Sequence, residues 1–112
     1  MGIELKSERL AGGQAGPHLL ITAGVHGDEH VPMQAMRDLI QRFRDDPDLQ
    51  QSLRGSVTLV PVVNESAFAR GHRCGSDNLD LARTCPGKPD GTVTEQTAFA
   101  LSQLIEAADF YI

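Results

Sequence analysis

The chain has 112 residues, of which 15 are acidic and 10 basic, so that its net charge is −5. This length accommodates one domain with a modest core and leaves no room for a second. The basic residues are scattered along the sequence, which argues against a nucleic-acid surface. We therefore expect small polar or charged molecules as partners, and no nucleic acid.

The sequence contains no signal for a membrane or for a disulfide framework. Its longest apolar run is far short of the ~20 residues that a membrane span requires, and the N-terminus lacks a basic region followed by an apolar one. These features predict a cytoplasmic protein that does not enter a membrane. The two cysteines, Cys74 and Cys85, do not form a Cys-x-x-Cys pair. We expect reduced packing or loop residues, and a single bridge between them stays open.

Two strands are predicted near the N-terminus. Apolar and charged residues alternate within residues 3–10, which is typical of a half-exposed edge strand. A segment rich in glycine, residues 11–17, then ends this strand. Residues 19–23 are apolar in succession, as expected for a strand that is buried on both faces of a parallel sheet.

A helix is predicted next, from about residue 31 to Asp46. Pro32 suits a first helical turn, and Asp28 or Glu29 just before it would interact favourably with the helix N-terminus. Pro47 ends the helix, because proline disfavours the helical conformation in the residue before it. The apolar residues fall three, four and seven apart and predict one buried stripe, formed by Met33, Met36, Leu39, Ile40 and Phe43.

The second half contains the strongest strand signal and a long segment without periodicity. After a short helical turn within residues 48–53, residues 57–63 are apolar or β-branched almost throughout, although Pro61 cannot donate to a ladder. Residues 64–90 show no sustained period, and a stretch of this length without secondary structure of its own is commonly functional. We therefore expect residues 64–90 to be a functional loop.

A second long helix and a last strand complete the prediction. Thr92 and Glu95 form the pattern of a capping box, with Thr92 as N-cap and Glu95 reaching back. Residues 109–112 begin another strand. The helix between them is predicted to bury apolar residues at helical spacing, namely Ala98, Leu101, Leu104, Ile105 and Ala108.

This order of elements predicts an α/β fold. Strands that alternate with helices imply right-handed crossovers and a mainly parallel sheet, so we expect a three-layer sandwich. The sequence ends inside an apolar strand with no polar tail, which is unusual for a complete domain. We expect residues 1–112 to form a single unit, the N-terminal part of a longer domain, with a fold that is incomplete at the C-terminus.

A candidate metal site lies in the predicted turn between the buried strand and the first helix, where open α/β sheets place their ligands. His26 and Glu29 are three residues apart, with a glycine between them. This spacing lets an imidazole nitrogen and a carboxylate oxygen converge on one cation, and such a donor pair suits Zn²⁺. Pairs of this kind also arise by chance, and a histidine near a strand end is more commonly only hydrogen-bonded. The pair is a partial metal site.

The predicted loop carries side chains that suit an anionic substrate. Arginine presents a planar fork of donors that matches a carboxylate, and beside a metal it stabilises oxygen charge in a transition state. The alternative is that these arginines are solvated charges paired with nearby Asp77 and Asp80. The side chains concerned are Asn64, Arg70, Arg73, Asn78, Asp80 and Arg83.

Three motifs occur in order: Gly-Val-His-Gly-Asp-Glu at 24–29, Val-Val-Asn at 62–64 leading to Ala-Phe-Ala-Arg-Gly-His-Arg at 67–73, and Asp-Leu-Ala-Arg at 80–83 with Cys-Pro-Gly at 85–87. Together they resemble the succinylglutamate desuccinylase and aspartoacylase family of the zinc carboxypeptidase-like hydrolases. The resemblance extends from about residue 18 onward. It implies a carboxypeptidase-like (phosphorylase/hydrolase-like) fold and zinc-dependent hydrolysis of an N-acyl amino acid, or of a similar amide or ester with a free carboxylate.

The resemblance also implies roles for individual residues. His26 and Glu29 match the first two zinc ligands of the family, and Arg73 matches the arginine that polarises the scissile carbonyl. Arg83 matches the arginine that holds a substrate carboxylate. Asn64 and Arg70 are predicted as further substrate-binding residues from their place in the loop, not from the resemblance. Zinc would make a bound water the nucleophile near neutral pH.

Two departures from the family pattern stand out. Ala82 replaces the asparagine of Asp-Leu-Asn-Arg, so one substrate hydrogen bond is lost or the substrate differs. The family's third ligand, a histidine, would fall just beyond Ile112, with the general-base glutamate further on. Among the other histidines only His72 is a plausible substitute, because His30 is expected to point into the helix start and His18 to lie at the opposite end of the strand.

Three hypotheses follow from these observations. The first is the N-terminal part of a zinc-dependent amidohydrolase, which alone would show negligible hydrolysis. The second is a metal-free carboxylate-binding module that uses Arg73 and Arg83. The third is an inactive truncated remnant. An exposed terminal strand also allows pairing with another copy, so a homo-oligomer is a further prediction.

Overall fold

The computed structural model describes residues 2–112. Four strands, four helices and one 3₁₀ turn follow one another along these residues. In chain order they are β1 (Glu8–Ala11), β2 (Gln14–Thr22), α1 (His30–Asp45), α2 (Pro47–Gln51), β3 (Arg54–Val60), α3 (Glu65–Arg70), the 3₁₀ turn (Leu81–Arg83), α4 (Val93–Ala107) and β4 (Phe110–Tyr111).

The strands form one mixed sheet in the order β1-β3-β2-β4. Strand β2 runs parallel to both β3 and β4, whereas β1 is antiparallel to β3. The expectation of a mainly parallel sheet with an edge strand at the N-terminus is confirmed. The two edges of this sheet are β1 and β4.

Helices cover both faces of the sheet. On one face, Met33 and Met36 of α1 pack with Leu59 of β3 in one buried cluster. On the other face, Leu101 of α4 packs with Val60 of β3 in a second buried cluster. Leu59 and Val60 are consecutive, and consecutive strand residues point to opposite faces, so the two clusters lie on opposite sides of the sheet. The predicted three-layer α/β sandwich is confirmed.

Helix α1 closely matches its prediction. Its stripe is buried at Met33, Met36 and Ile40, with Leu39 and Phe43 packed against the same cluster. The predicted favourable interaction of Asp28 or Glu29 with the helix N-terminus is one of charge, and it stays a prediction. Glu29 occupies the N-cap position, but its side chain makes no capping hydrogen bond. It is directed to His26 instead.

The strand boundaries were less well predicted. Strand β1 covers only the end of the predicted 3–10 segment, and β2 begins inside the segment 11–17 that was expected to be a break. The pairing of β2 with β3 is irregular between Gln14 and His18. A Cβ on Gly16 would lie 2.9 Å from the carbonyl carbon of Arg54. Glycine therefore permits a close backbone approach, and the predicted break is an irregular start of β2.

Residues 64–90 contain two short elements, so the expectation of a loop without secondary structure is wrong. Asn64 caps α3 by accepting a hydrogen bond from the backbone N–H of Ala67 at 3.1 Å, and Gly71 ends α3 with a left-handed φ of 63°. Asp80 caps the 3₁₀ turn through the N–H of Ala82 at 3.0 Å. Elements of three to six residues are too short to show a period, and they are specified by their caps.

Helix α4 forms as predicted, but its capping box does not. Thr92 stands at the N-cap without a side-chain capping bond, and its hydroxyl donates to Glu95 Oε1 at 3.2 Å. Asp77 provides the cap instead. It accepts hydrogen bonds from the N–H of Thr94 at 2.9 Å and from the Thr94 hydroxyl at 2.6 Å. The cap therefore also ties the segment 64–90 to α4.

Both cysteines are free thiols, Cys74 half-buried and Cys85 exposed, which resolves the question of a bridge.

Among residues 2–112, no helix combines the length and apolarity needed to cross a membrane.

Candidate active site

The predicted metal residues lie in the turn after the carboxyl end of β2. This turn runs beside the segment that follows β3. The N–H of Val63 donates to the carbonyl of Ala23, and the N–H of Asn64 donates to the carbonyl of Gly24, both at 2.9 Å. Two distant parts of the sequence, each with one predicted motif, are thereby joined at the same end of the sheet.

Gly27 lets this turn lie directly on α3. A Cβ at this position would fall 2.2 Å from the carbonyl carbon of Ala67 and 2.4 Å from the backbone nitrogen of Phe68. Contacts this short do not occur, so a larger residue would force the turn and α3 apart. Because the turn lies directly on α3, His26 is held at a fixed distance from the residues of α3.

His26 lies between two carboxylates. Its Nδ1 is 2.8 Å from Glu29 Oε1, and its Nε2 is 3.0 Å from Asp80 Oδ1. His26 is half-buried, whereas Glu29 is exposed. The structure thus brings the two predicted metal ligands together and adds a third residue, Asp80, on the opposite side of the ring.

Asp80 also connects His26 to the arginines. Its Oδ2 accepts a hydrogen bond from Arg73 Nη2 at 3.2 Å and lies 3.9 Å from Arg83 Nε. Partial burial acts to raise the pKa of Asp80, but the hydrogen bonds from His26, Ala82 and Arg73 lower it below its ordinary value. Asp80 is therefore an ionised carboxylate that contacts the imidazole of His26 and the guanidinium groups of Arg73 and Arg83.

The sequence showed Asp80 only as a loop charge near the arginines. The pairing of Asp80 with arginine, considered there as an alternative, is present in the structure. Its contact with His26 was missed. The two residues are 54 positions apart, so no local spacing connects them. The signal that was available is the position of Asp80 in the same motif as Arg83.

Arg70 and Asn64, predicted as substrate-binding residues, make contacts within the protein. Arg70 donates to the carbonyl oxygens of Cys74 and Gly75 and lies 3.5 Å from Asn78 Oδ1. Asn64 is fully buried beneath α3. Both side chains hold the segment that carries Arg73, and a direct contact with substrate stays a prediction for each.

The remaining histidines do not complete a metal site. His72 Nδ1 accepts the N–H of Cys74 at 3.1 Å. The His30 ring lies edge-on to Phe68, with centroids 5.8 Å apart. His18 bonds to Ser56 within the sheet. Among residues 2–112 there is no group of three or more His, Cys, Asp or Glu side chains that could hold a metal ion.

The donor set present here fits two positions of a zinc site. An imidazole nitrogen and a carboxylate oxygen face each other, and the second ring nitrogen meets a carboxylate, an arrangement that usually orients metal-bound histidines. A catalytic zinc site needs one more protein ligand and an open position.

Comparison with known proteins identifies the family. Residues 15–112 match the Succinylglutamate desuccinylase/Aspartoacylase catalytic domain. The chain belongs to this family. The resemblance seen in the three sequence motifs is thereby confirmed, and members of this family include deacetylases and desuccinylases, which are hydrolases.

Individual members of the family and its neighbours agree with this assignment. The chain is 39% identical over 84 residues to N-alpha-acetyl-L-2,4-diaminobutyric acid deacetylase of Halomonas elongata, covering 74% of this chain and 23% of that protein. A succinylglutamate desuccinylase/aspartoacylase structure from Rhodobacter sphaeroides matches at TM-score 0.84 and 32% identity, covering 97% and 32% of the two chains. A protein of Shewanella amazonensis assigned to the metallopeptidases matches at TM-score 0.65 and 25% identity, covering 93% and 41%.

These matches confirm the fold, and the metallopeptidase neighbour suggests a metal-dependent site. The chain spans about a quarter of the deacetylase and about a third of the Rhodobacter sphaeroides protein. Because the chain spans only these fractions of its relatives, the matches by themselves do not assign it the activity of a whole catalytic domain.

Proposed function

We propose that residues 1–112 are the N-terminal part of a zinc-dependent hydrolase domain that removes the acyl group from an N-acyl amino acid, or cleaves a similar amide or ester with a free carboxylate. One observation carries the proposal. His26 is held between Glu29 and Asp80, and the same Asp80 carboxylate binds Arg73. The candidate metal-ligand pair and the anion-binding arginine are thus connected through Asp80, which contacts both His26 and Arg73.

His26 Nδ1 and Glu29 would hold the zinc ion, since they face each other on the open side of the turn. Zinc, when bound, supplies a water that is nucleophilic near neutral pH. His26 Nε2 donates to Asp80, which fixes the imidazole tautomer and raises the basicity of the ligating nitrogen. Asp80 is a positioning residue in this scheme.

Arg73 and Arg83 would act on the substrate. The Arg73 guanidinium is oriented by Asp80 and keeps donors free to polarise the scissile carbonyl. Arg83 is 85% exposed and its contact with Asp80 is long, at 3.9 Å, so its planar fork is free to bind a substrate carboxylate. Arg70 and Asn64 support this arrangement by holding the segment that carries Arg73.

The substrate class follows from these groups and from the relatives. The Halomonas elongata relative is a deacetylase of an N-acetylated amino acid. We infer a small acylated amino acid or carboxylate as substrate. Ala82 is exposed and offers no amide beside Arg83, so the substrate side that faces Ala82 receives no hydrogen bond from this side chain. A cytoplasmic location and the absence of nucleic-acid and membrane partners stay predictions.

Zinc binding tests the proposal. We expect the purified chain to bind one zinc ion weakly and His26→Ala to lower the affinity at least about tenfold, since it removes one of two ligands. The measurement is competition with a chromophoric chelator, together with metal analysis after dialysis. His72→Ala is the matched control, because His72 is exposed on the neighbouring segment. Equal zinc uptake by the wild type and His26→Ala would contradict the proposal.

A carboxylate-binding module without metal is the second candidate, because Arg73 and Arg83 both lie beside Asp80, at 3.2 and 3.9 Å, and neither is a metal-ligand type. Calorimetry with an N-acetylated amino acid separates the two. Binding that survives both a chelator and His26→Ala, but not Arg83→Gln, supports the module. Hydrolysis by the isolated chain is expected to be negligible, since residues 2–112 contain no group of three side chains that could hold a metal ion.

A further inference from the structure

One aromatic residue of α3 connects this helix to the start of α1. The Phe68 ring lies nearly perpendicular to the His30 ring, with an angle of 80° between the planes and 5.8 Å between the centroids. The guanidinium carbon of Arg37 lies 5.9 Å from the centroid of the same Phe68 ring. His30 and Arg37 are seven positions apart, or about two helical turns, so both lie on one face of α1. Phe68 therefore contacts this face of α1 at two points.

The backbone of Phe68 contacts the turn that carries the candidate metal ligands. A Cβ on Gly27 would lie 2.4 Å from the backbone nitrogen of Phe68, so the turn rests directly on this residue. Gly27 lies between His26 and Glu29 in the sequence, and His30 directly follows Glu29. Phe68 thus contacts the turn twice, with its backbone between the two candidate ligands and with its ring just after the second one.

The position of Glu29 depends on the first turn of α1. Glu29 is the N-cap residue of α1, and its exposed side chain is directed to His26 Nδ1, at 2.8 Å, and not to the helix. The hydrogen bond from the Glu29 N–H to the carbonyl of His26 is long, at 3.4 Å. Because His30 begins α1, a contact that holds the His30 ring also holds the residue before it.

Phe68 also begins the connection to the arginine segment. Its carbonyl accepts a hydrogen bond from the N–H of Gly71 at 3.0 Å, and Gly71 ends α3 two residues before Arg73. A displacement of Phe68 would therefore change the position of Arg73 as well as that of Glu29.

We propose that Phe68 is a positioning residue for the two candidate zinc ligands. Its ring holds the first turn of α1, through His30, at the distance from α3 at which Glu29 faces His26. This role rests on the proposed function, and Phe68 itself contacts neither metal nor substrate in it. The ring is required because perpendicular ring pairs and cation–π contacts depend on the charge distribution of a π system, which an aliphatic side chain lacks.

A matched pair of leucine variants tests this role. Phe68→Leu removes the ring and keeps an apolar side chain. Phe43→Leu is the control, because Phe43 packs against the same cluster near the other end of α1. We expect Phe68→Leu to weaken zinc binding about three- to tenfold, measured by competition with a chelator, and Phe43→Leu to leave it within about twofold. Urea denaturation of both variants separates this loss from a general loss of stability. Phe68→Tyr keeps the ring and should restore the wild-type affinity.

Variants of His30 test the other partner of the ring pair without disturbing the interior. His30 is exposed, so its replacement should leave the fold intact. We expect His30→Ala to weaken zinc binding as Phe68→Leu does, and His30→Phe to restore it, since a second aromatic ring can take the place of the imidazole. Unchanged zinc affinity in His30→Ala contradicts the proposal. So does a His30→Phe variant that binds zinc as weakly as His30→Ala, because the imidazole itself would then be needed.

Hydrogen exchange without metal separates the positioning role from the proposed function. The Glu29 amide should exchange at least about threefold faster in Phe68→Leu than in the wild type or in Phe43→Leu, because the turn is held less firmly. If the wild type binds no zinc and Phe68→Leu still accelerates this exchange, the zinc role is contradicted and the positioning role is supported. If the wild type binds zinc and Phe68→Leu changes neither its affinity nor this exchange, the positioning role is wrong and the proposed function is unaffected.

Discussion

The turn at residues 24–29 and the β4 edge both lie beside β2, and they differ in how far the described residues complete them. In the turn, both ring nitrogens of His26 have carboxylate partners and Gly27 packs on α3. At the edge, Phe110 is exposed by 62% and Tyr111 by 42%. The first surface is organised by its own chain, whereas the second presents groups that another polypeptide segment can satisfy. The turn, which carries His26 and Glu29, is thus preformed by its own contacts.

The variant with the largest expected effect disrupts the preformed turn at residues 24–29. Gly27→Ala places a Cβ 2.2 Å from the backbone of Ala67, so the turn or α3 must move. We expect a loss of about 2–3 kcal/mol in the free energy of unfolding, measured by urea denaturation. Gly2→Ala is the control, since a Cβ there meets nothing within 4 Å. Equal stability of the two variants would mean that the turn is not held by this contact.

The next effect tests whether the carboxylates around His26 act as a unit. Asp80→Asn keeps the shape of the side chain but weakens its interaction with His26 Nε2 and with Arg73. We expect zinc affinity to fall about 10- to 100-fold although Asp80 is not a ligand. Asp90→Asn, in an exposed position of the following segment, should leave the affinity unchanged. A similar loss in both variants would show a general effect of charge.

The smallest expected effect concerns Asp77, which ties the arginine-bearing segment 64–90 to α4. Partial burial acts to raise the pKa of Asp77, but hydrogen bonds from the hydroxyl and backbone N–H of Thr94 and from the backbone N–H of Leu79 outweigh it and lower the pKa to about 2. A carboxylate with a lowered pKa contributes stability above its unfolded value of 3.8, and this contribution is lost as the pH falls through about 2.

Asp77→Asn should therefore cost about 1–2 kcal/mol at pH 7 and less at pH 2. The measurement is urea denaturation at both pH values, with Asp90→Asn as control. A cost that is independent of pH would show that the Asp77 charge does not cap α4.

The sequence predicted best the elements whose side chains repeat. The stripe of α1, the apolar run of β3 and the buried face of α4 each extend over enough residues to show a period or a continuous apolar pattern. The irregular start of β2 was missed, because glycines there were interpreted as a break and not as a close approach to β3. Helix α3 was missed because six residues are too few to show a period.

The sequence by itself determined the family, the two faces of the sheet and the identity of His26, Glu29, Arg73 and Arg83 as candidates, because these depend on local patterns and on motifs in order. Only the tertiary structure decided that Asp77 caps α4 across 17 positions and that Asp80 joins His26 to Arg73 across 54. Hydrogen bonds between distant residues depend on the path of the chain. That path is set by packing across the sheet, which local periodicity does not report.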